Sequence, residues 1–376
     1  MSDWPLSLLL DEIWLRSRRL AVHGLERSGF WPGGDEHWAS VGECIALGQG
    51  VDRRCLQQNL SAAEYAYLHS PEAFGSSRYG SRRRWPLVLA FGHQVTRLFS
   101  ACHGAARRDS DDDVADVGAC FNLGISLIDL VLDERAFRPA AETVIGMLAD
   151  YDVKNLLLPA HWHAFDDQLV RVPLGDARIV LRIVSTVYKG MAQLGLSTDE
   201  REELGALLED AFRAEIASAR LGMRSQEQHA KSILPFQVMA CIARANVRQP
   251  ESTAALYREM AVHLGTSIAL LDDLSDLVDD LRSSAVNSIV ARPHTPQSDG
   301  TDDAESGGAQ TIDDSIVSAI ALSLLEESGI ERAVENLLGH LRETELLALS
   351  LAGPDGAGTV ARQLASTRTF IRNWLE

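Results

Sequence analysis

Gly265-Thr-Ser-Ile-Ala-Leu-Leu-Asp272-Asp273-Leu-Ser-Asp276-Leu-Val-Asp279-Asp280 is the stretch on which the reading of this chain turns. Asp272, Asp276 and Asp280 recur every four residues, a spacing that stacks side chains on one face of a helix. Like charges at that spacing repel, so helix stability alone does not favour them. Hard divalent cations do, and Mg2+ characteristically binds through one or two carboxylates completed by substrate phosphates. A solvated acidic face is the plainer alternative. The apolar run from Tyr257 to Leu271 reads as a buried helix, and a charge ladder leaving a buried helix lines a cavity. The stretch therefore predicts a helix that carries a metal site.

The rest of the composition fits such a site in an ordinary globular protein. The chain has 376 residues, 46% hydrophobic and 23% charged, enough to bury a sizeable core. Its net charge of −18 argues against a nucleic-acid partner, whose phosphates attract a surplus of Lys and Arg. It leaves a phosphorylated small molecule open, because bound metal ions supply local positive charge. Cys44, Cys55, Cys102, Cys120 and Cys241 are odd in number, without a CxxC pair, and read as core thiols of a reducing compartment. Near the N-terminus, Asp3, Asp11 and Glu12 stand where a signal peptide needs basic residues. No window of eighteen uncharged apolar residues is apparent, so no membrane span is expected and the expected location is the cytoplasm.

Apolar residues recur at three- and four-residue spacing almost throughout, and period-two alternation is scarce, which predicts an all-α fold. Helices are expected over 3–29, 39–48, 60–69, 84–105, 114–134, 139–150, 176–194, 198–220, 225–246, 251–283, 312–326, 328–351 and 357–375. Ser197-Thr-Asp-Glu200 has the form of a capping box. Residues 292–310 (RPHTPQSDGTDDAESGGAQ) are polar, without periodicity, and are expected to form a disordered loop inside a single domain spanning 1–376. A split into two domains is the alternative.

Other segments carry chemistry. Asp129 and Asp133, in Ser126-Leu-Ile-Asp129-Leu-Val-Leu-Asp133-Glu134, are again four apart on an apolar helix. Buried carboxylates need partners, and a metal cluster shared by two such helices would supply them. Asp112-Asp113-Val-Ala-Asp116 spells DDxxD literally, but it opens a helix, where acidic residues favour the macrodipole. Gly80-Ser-Arg82-Arg83-Arg84-Trp85-Pro86 is a basic cluster whose guanidinium forks match phosphate oxygens, or else a solvated loop. Lys231, in His229-Ala-Lys231-Ser232-Ile-Leu-Pro-Phe, is a lone lysine in an apolar helix; alone it would be read as snorkelling to solvent. His161-Trp-His163 has a spacing that suits a strand rather than a metal site on a helix.

In order and spacing, these pieces resemble the trans-isoprenyl diphosphate synthases, the polyprenyl synthetase family of the class I terpenoid synthase fold. GSRRRWP at 80–86 resembles that family's GGKRxRP, and SLIDLVLDE at 126–134 its first aspartate-rich motif. HAKSILPF at 229–236 resembles the segment holding a Lys-Thr pair, and GTSIALLDDLSD at 265–276 the second aspartate-rich motif, GxxFQxxDDxxD. The resemblance implies a helical bundle around a central active-site cavity and a homodimer. It implies Mg2+, about three ions with the diphosphate, held by Asp129 and Asp133 and by Asp272, Asp273, Asp276 and Asp280. Lys231 would touch the diphosphate of an allylic isoprenyl substrate, and Arg82 and Arg83 that of isopentenyl diphosphate. Lys231 and Arg138 would take catalytic roles. Gly124 and Ile125, five and four residues before the first aspartate, would form the floor of the prenyl pocket. Their lack of an aromatic plug favours chains of roughly fifteen carbons or more.

Departures from the family pattern keep two alternatives open. Leu130 replaces the second aspartate of the first motif, Pro139 follows Arg138 where a second arginine belongs, and Trp85 replaces the last arginine of GGKRxRP. Ile268-Ala269 replaces Phe-Gln, and the Gly-Lys stretch after the second motif is missing, the chain running quickly to Asn287-Ser-Ile. A class I terpene cyclase, which needs no isopentenyl diphosphate, has metal ligands at i, i+4 and i+8, the spacing of Asp272, Asp276 and Asp280. A non-catalytic partner subunit of a heteromeric prenyl synthase is the remaining reading.

Overall fold

The computed structural model describes residues 5–27, 41–74, 84–103, 111–133, 137–151, 157–221, 225–244, 251–283, 287–290 and 314–375. The described residues are helical almost throughout and contain no strand, so the protein is all-α. In chain order the helices are α1 (Leu6–Arg27), α2 (Val41–Val51), α3 (Gln57–Asn59), α4 (Ala62–Leu68), α5 (Arg84–Ala101), α6 (Asp111–Asp133) and α7 (Arg138–Asp150). They continue as α8 (Pro159–Leu169), α9 (Asp176–Gln193), α10 (Thr198–Leu221), α11 (Ser225–Ala243), α12 (Glu251–Ser283), α13 (Asp314–Glu326) and α14 (Gly329–Leu375). A π-helical turn, Asp52–Leu56, joins α2 to α3. The expected loop at 292–310 lies outside the described residues.

Local chemistry sets several of the boundaries. Ser197 and Glu200 close the expected capping box at the start of α10: the Ser197 amide donates to Glu200 Oε2 at 2.8 Å, and the Glu200 amide to Ser197 Oγ at 3.3 Å. Ser61 and Glu64 form a second box at α4. α8 was not expected as a helix. Pro159 sits in its first turn, where a missing N–H costs nothing, and His161 and His163 are both solvent-exposed on it.

The chain divides into two compact units. The first comprises residues 1–31, 266–342 and 375–376. In it α1 packs against α13, burying Leu9, Ile13 and Ala21 on one side and Val317, Ala321 and Leu324 on the other. Arg16 ties the two ends together, pairing with Glu331 and donating to the Leu325 carbonyl at 3.1 Å.

The second unit comprises 32–265 and 343–374. Its centre is α6, which packs against α5, α7, α9, α10 and α11. Gly118 permits the closest of these approaches, since a Cβ there would fall 1.9 Å from Thr96 Oγ1 of α5. On α9, Ile179, Ile183 and Val187 recur at four-residue intervals and are all buried. The window Asp112–Leu132 of α6 is long and apolar enough to cross a membrane, with a mean hydropathy of 1.7. That hydropathy has a different cause here, because 83% of the window is buried inside the protein. Within α14, Gly353 takes a φ of 62°, and the chain turns back on itself there. Arg368 consequently reaches Glu345 at 2.7 Å, although 23 residues of unbroken helix would set them about 35 Å apart.

Candidate active site

The second unit brings two of the sequence candidates into contact. Asp129 lies in the last turn but one of α6, and Lys231 in the second turn of α11. The Lys231 ammonium is ion-paired with Asp129 Oδ1, and it lies 3.2 Å from Oε2 of Glu215 on α10. The three side chains grade in exposure: 30% for Asp129, 16% for Lys231 and 3% for Glu215. Sequence reading passed over Glu215, although a lone carboxylate in Ala-Glu215-Ile-Ala was a visible signal. Neither neighbouring charge was recognisable as its partner until the helices were placed.

One helical turn before Asp129, α6 lines a narrow apolar cavity with about 10 Å³ of free volume. Gly124 and Ile125 line it from α6. Aromatic side chains that the sequence reading did not assign to it close the rest: Phe121 from α6, Tyr188 from α9 and Phe212 from α10. Phe121 lies two turns from Asp129, about 12 Å along the helix. A Cβ on Gly124 would meet Ile183 Cγ2 at 3.5 Å, an ordinary contact.

In the first unit, the ladder occupies the C-terminal half of α12. Leu271, Leu274, Leu277 and Leu281 form its buried stripe; Asp272 is exposed, and Asp273, Asp276 and Asp280 are half-buried. The turn at 287–290 binds this acidic face. The Asn287 side-chain amide donates to the Asp273 carbonyl at 2.7 Å and to Asp280 Oδ2 at 2.9 Å. The Ser288 amide donates to Asp273 Oδ2 at 3.3 Å, and its hydroxyl donates to the same oxygen. Burial raises the Asp273 carboxyl above its ordinary range; the Ser288 hydrogen bonds oppose that, and the Asp276 charge adds to it.

The remaining candidates are more scattered. The Asp133 backbone ends α6, and its side chain lies outside the described residues, as do Arg82 and Arg83. Arg138 is solvent-exposed at the start of α7, 3.3 Å from Glu142. Trp85 is buried edge-on against Phe74, with ring centroids 5.6 Å apart, so the aromatic substitution in the basic motif serves core packing. The literal DDxxD at 112–116 is divided. Asp112 pairs with Arg97 at 2.5 Å, and Asp113 is exposed. Asp116 is buried and held by both Arg54 nitrogens, at 2.7 and 2.8 Å.

Oxygen donors of this kind suit Mg2+. Among the described residues no group of three or more His, Cys, Asp or Glu side chains is gathered to hold a metal ion. An ion bound by one or two of these carboxylates would need its other positions filled by phosphate oxygens and water, which is the usual Mg2+ arrangement.

No family model matches the chain. No curated protein matches it either. Among solved structures, it is similar to the crystal structure of polyprenyl synthetase from Streptomyces coelicolor A3(2), at 15% identity and a TM-score of 0.47, over 87% of this chain and 98% of that one.

Proposed function

We propose that the protein is a prenyltransferase that ionises an allylic isoprenyl diphosphate with Mg2+ and transfers the prenyl group to isopentenyl diphosphate. The observation that carries this reading is the ion pair of Lys231 with Asp129, one helical turn along α6 from Ile125, which lines an apolar cavity with Gly124. A cation and a carboxylate suit a metal-bound diphosphate, and an apolar space on the same helix suits the hydrocarbon. Asp129 would hold Mg2+, whose bound charge stabilises the departing diphosphate. Lys231 would contribute a second positive charge to the same oxygens. Leu130, Ile125 and Phe121 would keep water from the allylic cation.

The size of the cavity bears on the substrate. A volume of about 10 Å³ holds at most one water, so a prenyl tail enters only if Phe121, Tyr188 or Phe212 changes rotamer. Phe121→Ala is therefore expected to lengthen the product and Ile125→Phe to shorten it; identical product length in both variants would remove the cavity from the account. Cyclisation of a single allylic diphosphate is the second reading. The Asn287 hydrogen bond that orients Asp280, the i+8 position of the ladder, favours it.

Product analysis by mass spectrometry discriminates the two. The protein is incubated with Mg2+ and geranyl, farnesyl or geranylgeranyl diphosphate, with and without isopentenyl diphosphate. Longer diphosphates formed only with isopentenyl diphosphate are the expected result. Hydrocarbon or alcohol from the allylic substrate alone replaces transfer by cyclisation. No turnover alone, with turnover restored by a second prenyl synthase chain, replaces both by a partner-subunit role.

A further inference from the structure

The Lys231 cluster has a property that its members do not have singly. Two carboxylates share one ammonium, and the two differ sharply in exposure: Glu215 is 3% exposed and Asp129 30%. Glu215 is the deeply buried member and holds the ammonium from the protein side. Asp129 faces solvent enough to exchange its partner. Resting on the metal-diphosphate reading above, we propose that Lys231, anchored by Glu215, is a resident counter-cation of Asp129 that makes divalent-cation binding at Asp129 depend on the diphosphate. Glu215 is then a positioning residue and Asp129 a switching ligand.

The argument is one of competition. A divalent ion arriving alone must displace an ammonium already paired with Asp129. An ion arriving with a diphosphate brings several oxyanion charges, and Lys231 moves from one anionic partner to another without ever being buried unpaired. Metal without substrate is thereby held weakly, and the charge that later stabilises the leaving diphosphate is already in place. The step exchanges ionic contacts only, with no bond formed or broken.

The probe is Mn2+, titrated by calorimetry and by its paramagnetic resonance signal, alone and with inorganic pyrophosphate. The signal that matters is the part removed by Asp129→Asn. Lys231→Gln is expected to tighten binding of Mn2+ alone about fivefold or more, and to lose the further gain from pyrophosphate. Glu215→Gln leaves Lys231 with Asp129 as its remaining carboxylate in the cluster, and is expected to weaken Mn2+ binding. These opposite signs distinguish positioning from a general loss of structure. The double variant Lys231→Gln/Glu215→Gln, which removes both charges of the buried pair together, covers the case in which either single variant misfolds, and is expected to match Lys231→Gln. Asp129-dependent binding that is unchanged or weaker without Lys231 overturns this inference alone. If Asp129→Asn removes no Mn2+ binding from any of these proteins, the metal-site reading falls and this inference with it.

Discussion

Asp116 and Asp129 lie on the same helix, about 20 Å apart along its axis, in opposite electrostatic settings. Asp116 is buried and bound bidentately by Arg54, with His93 Nε2 3.5 Å away. Asp129 is partly open and paired with a lysine that a second carboxylate also holds. Asp116→Ala should therefore cost about 2 kcal/mol of stability by leaving Arg54 and His93 unmatched, measured by urea unfolding, and leave Mn2+ binding intact. Asp129→Asn should do the reverse. If the two exchange these phenotypes, the assignment of the acidic residues on α6 is wrong. The literal DDxxD spelling pointed to the wrong end of this helix, and local charge context identified it as a helix start. Asp116 still looked like one more terminal aspartate, because the arginine that buries it comes from 62 residues earlier.

At the scale of elements, periodicity was enough for most of the helices and for the central, apolar character of α6. It failed where the signal is not periodic. α8 opens with Pro and a His-Trp-His run that reads as a junction, yet Phe165 and Leu169 give it a buried edge. α8 is also fastened by charge: Asp166 accepts from Arg182 at 3.0 Å and from Ser185 at 2.6 Å, both on α9. The reversal in α14 was visible as a gap between two expected helices, but only the structure puts its pivot at Gly353. Nothing lies within 4 Å of a Cβ built there, so the cost of a side chain is conformational alone. Gly353→Ala is expected to destabilise the protein by about 1–2 kcal/mol through its positive φ, read as a lowered thermal midpoint. An unchanged midpoint would mean that this turn does not hold the Glu345–Arg368 pair in place.

At the scale of the whole molecule, two desolvated histidines, buried His93 and half-buried His103, contribute to the pH response. Burial pushes His93 down to about 4, with Asp116 opposing, and His103 down to about 4, with the Ala243 carbonyl opposing. The His103 tautomer follows from its partners: Nε2–H donates to the Ala243 carbonyl at 3.0 Å, and Nδ1 accepts from the Tyr257 hydroxyl at 3.0 Å. Both rings are neutral in the fold and gain a proton more readily unfolded. Their contribution is complete above pH 6.5 and is lost as the pH falls towards 4, at about 3 kcal/mol each. Glu64 acts at the acid end: its contribution begins to be lost only below about pH 5. Burial alone would raise its carboxyl, but hydrogen bonds from Arg178 and Ser61 bring it to about 2. Urea midpoints should fall between pH 7 and 4.5, and His103→Gln should flatten the slope; a profile already flat in the parent would contradict this.

Chemistry at the same scale was legible as motifs, not as a site. The ladder at 272–280 and the pair at 129 and 133 were visible as carboxylates at helical spacing, whereas the buried Glu215 and the aromatic walls from α9 and α10 required the packing of helices far apart in sequence. The claim that unites them is that this chain ionises an allylic diphosphate with Mg2+. Release of inorganic pyrophosphate from farnesyl diphosphate, with isopentenyl diphosphate present, tests it most directly. The account predicts release that needs Mg2+, is abolished by chelation with EDTA, and is lost in Asp129→Asn and in Asp272→Ala. Release that persists without Mg2+, or that survives in both variants, would contradict it.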